Sequence, residues 1–152
     1  MSPPDNAHIS PRDLVAACRR LYAAIDKLDA EAASRVGVSR NDLRCLNLLE
    51  TGPAKPTQIS AELGLTSGSV TALLDRLEKA DLAKRSPDPD DRRGIIIHPT
   101  KHLFAVLGPL YAGVAQQIAR VGSEYDPTEL ELAVKHLNDA CKAYEDAVPD
   151  KS

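Results

Sequence analysis

The sequence predicts a mainly α-helical fold with a small β wing, and three observations carry that prediction. Residues 57–79 hold two short helical patterns separated by Gly64-Leu65-Thr66. Two strand-like runs follow at once, Leu82-Ala83-Lys84-Arg85 and Gly94-Ile95-Ile96-Ile97-His98, around a loop rich in proline and aspartate. Longer amphipathic helical patterns flank this middle segment on both sides.

The first short helix is expected at Gln58–Leu63 with Thr57 as N-cap, and Gly64 gives the backbone freedom for a sharp turn. The second is expected to begin after Thr66 and Ser67. On a 3.6-residue period Val70, Leu73, Leu74 and Leu77 share one face, while Gly68, Ser69, Ala72, Asp75 and Arg76 share the opposite one. Ser60, Gly64 and Val70 have the spacing that lets two helices cross closely. The outer face is small and polar at its N-terminal end, so a DNA groove can receive it. In the loop Ser86-Pro87-Asp88-Pro89-Asp90-Asp91-Arg92-Arg93, the arginines at the tip suit the narrow, electronegative minor groove. The two elements together predict a winged helix-turn-helix, a reader of double-stranded DNA. Candidate contacts are Thr66, Ser67, Gly68, Ser69, Thr71, Ala72 and Arg76 on the second helix, and Lys84, Arg85, Arg92 and Arg93 on the wing. Ser67, Ser69 and Thr71 suit phosphates or bases, as does Arg76. Asp75 either faces DNA or pairs with Arg76 or Lys79.

The flanking segments are read as follows. Ser10-Pro11-Arg12-Asp13 is a helix start, with serine as cap, proline at the first position and a carboxylate at the third. Leu14, Cys18, Leu21, Ile25, Leu28 and Ala32 then alternate in steps of four and three, a seam suited to a partner helix. Val36-Gly37-Val38 ends that helix, Ser39 opens another with Leu43, Leu46 and Leu49 inward, and Thr51-Gly52-Pro53 stops it. Beyond the wing a helix is expected from His102 to Val121, kinked at Gly108-Pro109, and Asp126-Pro127-Thr128-Glu129 starts the last one. Leu130, Val134, Leu137, Cys141 and Tyr144 form its apolar stripe. The expected organisation is a reader at residues 39–100 and a helical dimerisation region at residues 10–36 and 102–148.

Composition sets bounds on this reading. A chain of 152 residues with 43% hydrophobic content supports one domain with a real core. Residues 1–55 carry 8 basic and 7 acidic side chains, residues 56–101 carry 7 and 7, and residues 102–152 carry 4 and 8. The net charge of −3 therefore comes from the C-terminal helices, and DNA binding must rest on where individual cations point. No apolar run reaches membrane-spanning length and Met1–Ser10 is polar and proline-rich rather than a signal peptide, so a cytoplasmic protein without membrane contact is expected. Cys18, Cys45 and Cys141 show no CxxC spacing, which argues against a disulfide scaffold or zinc module. His98 and His102 are four apart, but Pro99 breaks the helix between them and no third ligand is near, so no metal site is expected. His8 and His136 read as solvent-facing. No glycine-rich phosphate loop, nucleophile elbow or framed carboxylate pair speaks for an enzyme, and no cofactor is expected.

Ile59-Ser60-Ala61-Glu62-Leu63-Gly64-Leu65-Thr66, then Val70-Thr71, Asp75-Arg76-Leu77-Glu78-Lys79 and the wing Asp91-Arg92-Arg93-Gly94 resemble the MarR family of bacterial regulators. The resemblance extends over residues 10–148. It implies a homodimer with a helix in the major groove, an arginine at the position of Arg93 in the minor groove, and Asp91 steadying the wing. It also implies a pseudo-palindromic operator, repression, and control by a small effector bound between the dimer helices and the reader. One departure is visible: the family closes its last wing strand with Leu-Thr, whereas Pro99-Thr100 stands here, and Pro99 cannot donate a strand hydrogen bond.

Two rival readings stand beside this one. Cys18, with Tyr22 one turn later, resembles the peroxide-sensing cysteine of the organic-hydroperoxide repressors within the family, although a second tyrosine is replaced by Ala32. Such a sensor needs a stabilised thiolate and access to oxidant, whereas a cysteine on an apolar seam is ordinarily a small hydrophobe. From a different class, a winged helix can serve protein contact alone, and the wing arginines would then be dispensable.

Overall fold

The computed structural model describes residues 9–149, so His8 and all but the last two residues of the Met1–Ser10 segment lie outside the described residues. Six helices and one hairpin follow in the order α1 (Pro11–Val36), α2 (Arg40–Glu50), α3 (Pro56–Leu63), α4 (Ser67–Lys79), β1 (Ala83–Pro87), β2 (Ile95–Pro99), α5 (Lys101–Gly122) and α6 (Pro127–Asp146). The mainly α fold with a two-stranded wing is the expected one.

Helix starts follow from capping chemistry. The Asp13 carboxylate accepts from the Ser10 backbone N–H at 2.8 Å and the Ser10 hydroxyl at 2.7 Å. Ser39 and Asp42 exchange bonds across the first turn of α2, and Asp126 and Glu129 do the same for α6. The start of α3 differs from expectation. It begins at Pro56 with Lys55 as N-cap, because a proline at the first position needs no donor and Gln58 Oε1 returns to the Lys55 N–H at 2.8 Å. Helix α4 likewise starts at Ser67, one residue early, with Thr66 capping Ser69. Gly64 adopts φ 66° at the end of α3, the left-handed conformation that makes the turn.

Residues 26–113 form one compact unit, and the described residues up to 25 together with those from 114 form another. The division between these units falls inside α1 and α5. The reason lies in the core: Ala32, Ala33, Leu103 and Leu107 are buried among Leu43, Leu46, Leu49, Ile59, Leu73 and Leu77. Helices of 8 and 13 residues are too short to persist alone, so packing on this core holds α3 and α4 in place. Each fully buried leucine contributes about 1.5–3 kcal/mol, against roughly 1 kcal/mol for a typical cap. The Tyr111 hydroxyl adds a polar tie, 3.2 Å from Asp29 Oδ1 and 3.3 Å from Asn47 Oδ1. Burial and the Asp29 charge push this phenol up to about 12, so it keeps its proton.

The wing is an antiparallel pair running from Ala83 opposite Pro99 to Pro87 opposite Ile95. Pro99 thus occupies the last position of β2, where a missing donor costs least. Beyond it Thr100 donates its hydroxyl to the Asp81 carbonyl at 2.5 Å and accepts the Leu103 N–H at 3.2 Å, starting α5. Ala54 adds a third rung, exchanging two backbone bonds with Ile97 at 3.0 and 2.8 Å. Helix α5 runs through Pro109 without a break.

In the other unit, the apolar stripes of α1 and α6 lack cover. Leu14, Leu21, Ile25, Leu130, Val134, Leu137 and Tyr144 are all at least 42% exposed, and α6 has no buried residue. No helix among the described residues is long and apolar enough to cross a membrane.

Candidate nucleic-acid interface

Helix α4 presents the face that its periodicity predicts. Val70, Leu73, Leu74 and Leu77 are buried, and Ser67, Gly68, Ser69, Thr71, Ala72, Asp75 and Arg76 are exposed. Of its hydroxyls, Thr66 Oγ1 lies 2.9 Å from Ser69 Oγ and Thr71 donates to the Ser67 carbonyl at 3.0 Å. These internal bonds leave the oxygens on the surface, where each still has an acceptor site for an incoming donor.

Three ionic ties fix the geometry of this surface. Arg76 Nε and Nη2 reach Asp42 Oδ2 and Oδ1 at 3.2 and 2.6 Å, joining α4 to the first turn of α2. Arg85 on β1 pairs with Asp75 at 2.7 Å and with Glu78, joining the wing to the C-terminal half of α4. Lys55, the cap of α3, lies 2.7 Å from the buried Asp88 carboxylate at the root of the wing loop. The Lys55 ammonium and the backbone N–H of Asp90 hold the Asp88 carboxyl below the usual carboxylate range. Asp75 therefore takes Arg85, not Arg76 or Lys79, as its partner, because β1 runs alongside the end of α4.

The wing tip is built by its own backbone. Asp91 Oδ1 accepts the Arg93 N–H at 2.9 Å, and the Asp91 carbonyl accepts the Gly94 N–H at 2.9 Å. A Cβ at Gly94 would stand 3.1 Å from Asp88 Cβ, Asp91 Cβ and Asp91 Oδ2, so only glycine closes this turn without displacement. The Asp91 carboxylate and carbonyl thus bridge the turn at the wing tip. Arg92 and Arg93 project from the tip, and like Lys84 they are exposed and make no ion pair among the described residues.

The structure thus divides the candidate cations into two groups. Lys84, Arg92 and Arg93 have no carboxylate partner among the described residues; Arg76 and Arg85 each pair with carboxylates. Asp42, Lys55, Glu78 and Asp88, which position the rest, are not candidates by sequence pattern. For Asp42 a signal exists: Ser39-x-x-Asp42 before an apolar run is a capping-box pattern. For Lys55 and Asp88, 33 residues apart, sequence offers none. His98 Nε2 lies 2.8 Å from Ser86 Oγ across the wing, and His102 is exposed on α5.

A tied recognition helix beside a wing with two arginines unpaired among the described residues defines a winged helix-turn-helix DNA-binding protein. The chain belongs to the MarR family of transcriptional regulators, with residues 36–94 matching the family and a relative of substantial identity along most of the chain. That relative, the uncharacterized HTH-type transcriptional regulator YcgE of Bacillus subtilis strain 168, is 34% identical over 116 residues, 76% of this chain and 75% of that protein. Two solved structures share the fold. Rv1404 from Mycobacterium tuberculosis superposes with TM-score 0.68 at 24% identity, covering 92% of this chain and 98% of that one. FabT from Streptococcus pneumoniae, solved in complex with DNA, gives TM-score 0.68 at 20% identity over 91% of this chain and 100% of its own. The protein is a transcriptional regulator rather than an enzyme.

Proposed function

We propose that the protein is a homodimeric repressor that binds a pseudo-palindromic operator, with Ser67 to Arg76 at the major groove and Arg93 in the minor groove, under control of a small effector. The observation that carries the reading is the exposed Arg92-Arg93 tip, unpaired among the described residues and held by the Asp91 turn beside an exposed, polar α4 face. A winged helix used only for protein contact has no use for that tip. Dimerisation is supported by the uncovered stripes of α1 and α6, which line a groove of about 800 Å³ including Leu21, Ile25 and Leu137. Two readers held by such helices fit half-sites about one DNA turn, near 34 Å, apart. A dimer seated on a promoter excludes polymerase, and an effector that shifts the helices by a few ångströms breaks simultaneous engagement. NadR, a structural neighbour of TM-score 0.58, was solved with 4-hydroxyphenylacetate, which supports an effector of small organic type.

The test is an anisotropy titration on DNA flanking the protein's own gene, across a salt series. Wild type is expected to bind tightly with a steep salt slope, and Arg93→Ala to lose 10-fold to 100-fold with the dimer intact. Equal binding by both proteins would remove the wing from the interface, and no binding above the nonspecific level would favour the protein-contact reading.

A second reading, redox control through Cys18, draws on one observation. Cys18 is half-buried in the α1–α6 groove with Tyr22, Tyr144 and Cys141 around it. Cys45 is excluded, because burial and the Asp42 charge push its thiol up to about 12. Maleimide is accordingly expected to label Cys45 only after unfolding. An organic hydroperoxide that releases DNA from wild type but not from Cys18→Ser would establish the sensor; identical release from both would eliminate it.

A further inference from the structure

We propose that Asp42 is the positioning residue of the recognition helix, and that the Arg76 guanidinium it holds is a phosphate contact rather than a base reader. The inference rests on the DNA-binding reading and assigns the chemistry of one contact within it.

Asp42 does two jobs with one carboxylate. It caps α2, accepting the Ser39 N–H while its own N–H bonds Ser39 Oγ at 3.1 Å, and it receives the Arg76 fork. The group is 3% exposed, whereas the Arg76 side chain is 57% exposed. A guanidinium has five N–H bonds, and the fork uses one on Nε and one on Nη2. Both protons of Nη1 and the second of Nη2 remain, on the edge turned away from Asp42. That edge belongs to a cation whose plane is already fixed, so presenting it to a ligand costs little further side-chain entropy.

The same tether decides which ligand. An arginine reads guanine by extending freely to a base edge, and Arg76 is pinned back against α2 near the C-terminal end of α4. The small residues of the exposed face, Gly68 and Ser69, lie at the other end of the helix, with Ala72 at its middle. A fixed, partly exposed fork at the rim of the inserted surface matches the phosphate backbone, whose contacts set register and orientation without reading sequence. Asp42 then acts at one remove: it aims Arg76 and, through α2, fixes the angle at which α4 is offered.

The experiment uses a duplex selected from a random pool by the full-length wild-type protein, with binding measured across a salt series for wild type, Asp42→Asn, Arg76→Gln and Arg76→Lys. Arg76→Gln is expected to lose 5-fold to 50-fold uniformly over single-base variants of the duplex and to flatten the salt slope by about one. Arg76→Lys, which keeps the charge but cannot fork, is expected to recover the slope without the affinity. Asp42→Asn is the sharpest arm, since it removes a negative charge beside DNA and yet is expected to weaken binding. Tighter binding by Asp42→Asn would overturn the positioning role. A loss by Arg76→Gln confined to one base pair would make Arg76 a base reader, and an unchanged slope would leave it a purely internal tie; either overturns the proposal. Circular dichroism at the assay temperature identifies a variant that has unfolded, and Arg76→Gln, altered at a largely exposed side chain, decides the case if Asp42→Asn does not fold. Failure to enrich any duplex would instead refute the DNA-binding reading itself.

Discussion

Replacing Ile25 with glutamate is expected to convert the protein to a monomer at micromolar concentration and to lower operator affinity at least 100-fold, although Ile25 lies outside the reader. In the single chain Ile25 is 49% exposed on the α1 seam, beside Leu21 and opposite Leu137 across the groove. An isologous interface meets every substitution twice, so two carboxylates would enter one apolar seam. Leaving each without a partner costs several kcal/mol, and two such costs exceed what a modest interface retains. Losing the dimer also removes the second half-site, whose effective concentration multiplies affinity by about 10²–10⁴. Sedimentation equilibrium and anisotropy on the same samples measure both effects. A variant that stays dimeric with unchanged operator affinity would place the dimer surface elsewhere. A variant that becomes monomeric but keeps full affinity would contradict two-site engagement.

The parts of this protein written in local pattern are legible from its amino acids alone. Val70, Leu73, Leu74 and Leu77 recur at helical spacing and are buried together, and Ser39, Thr66 and Asp126 cap where their chemistry requires. The wing is legible as two strand-like runs around an Asp-Pro loop, though each strand is shifted: β1 extends to Pro87 and β2 begins at Ile95. Features set by competing or distant partners are not. Thr57 resembles an N-cap, but Pro56 at the first position and the return of Gln58 to Lys55 start α3 two residues earlier. Arg85 reads as a free wing cation in sequence, and its pairing with Asp75 and Glu78 depends on β1 lying along α4, which no spacing rule gives.

Acid is expected to weaken the reader through Asp42 and Asp88, and replacing either residue with asparagine is expected to blunt that weakening. Burial alone would raise the Asp42 carboxyl, but bonds from Arg76 and from the Ser39 side chain and backbone outweigh it, and the group lies below its ordinary value of 3.8. Asp88 lies below it too, held chiefly by Lys55. A carboxylate whose folded-state pKa is depressed adds stability above its unfolded value, and that stability is lost as pH falls through the folded value. The ties joining α2 to α4 and α3 to the wing are therefore complete at neutral pH; their contribution begins to fade as pH falls past the ordinary carboxylate value of about 4 and is lost only below the lower folded-state values. At pH 7, Asp42→Asn is expected to cost about 1–2 kcal/mol, discounted because Arg76 is more than half exposed. That corresponds to roughly 2–8 °C in melting temperature for a chain of this size. Melting curves of wild type and Asp42→Asn from pH 7 to 3 should then converge, the variant having no carboxylate to titrate at that position. A constant gap down to pH 3 would mean that Asp42 stabilises α2 by shape and capping alone, with its charge contributing nothing to the grip on Arg76.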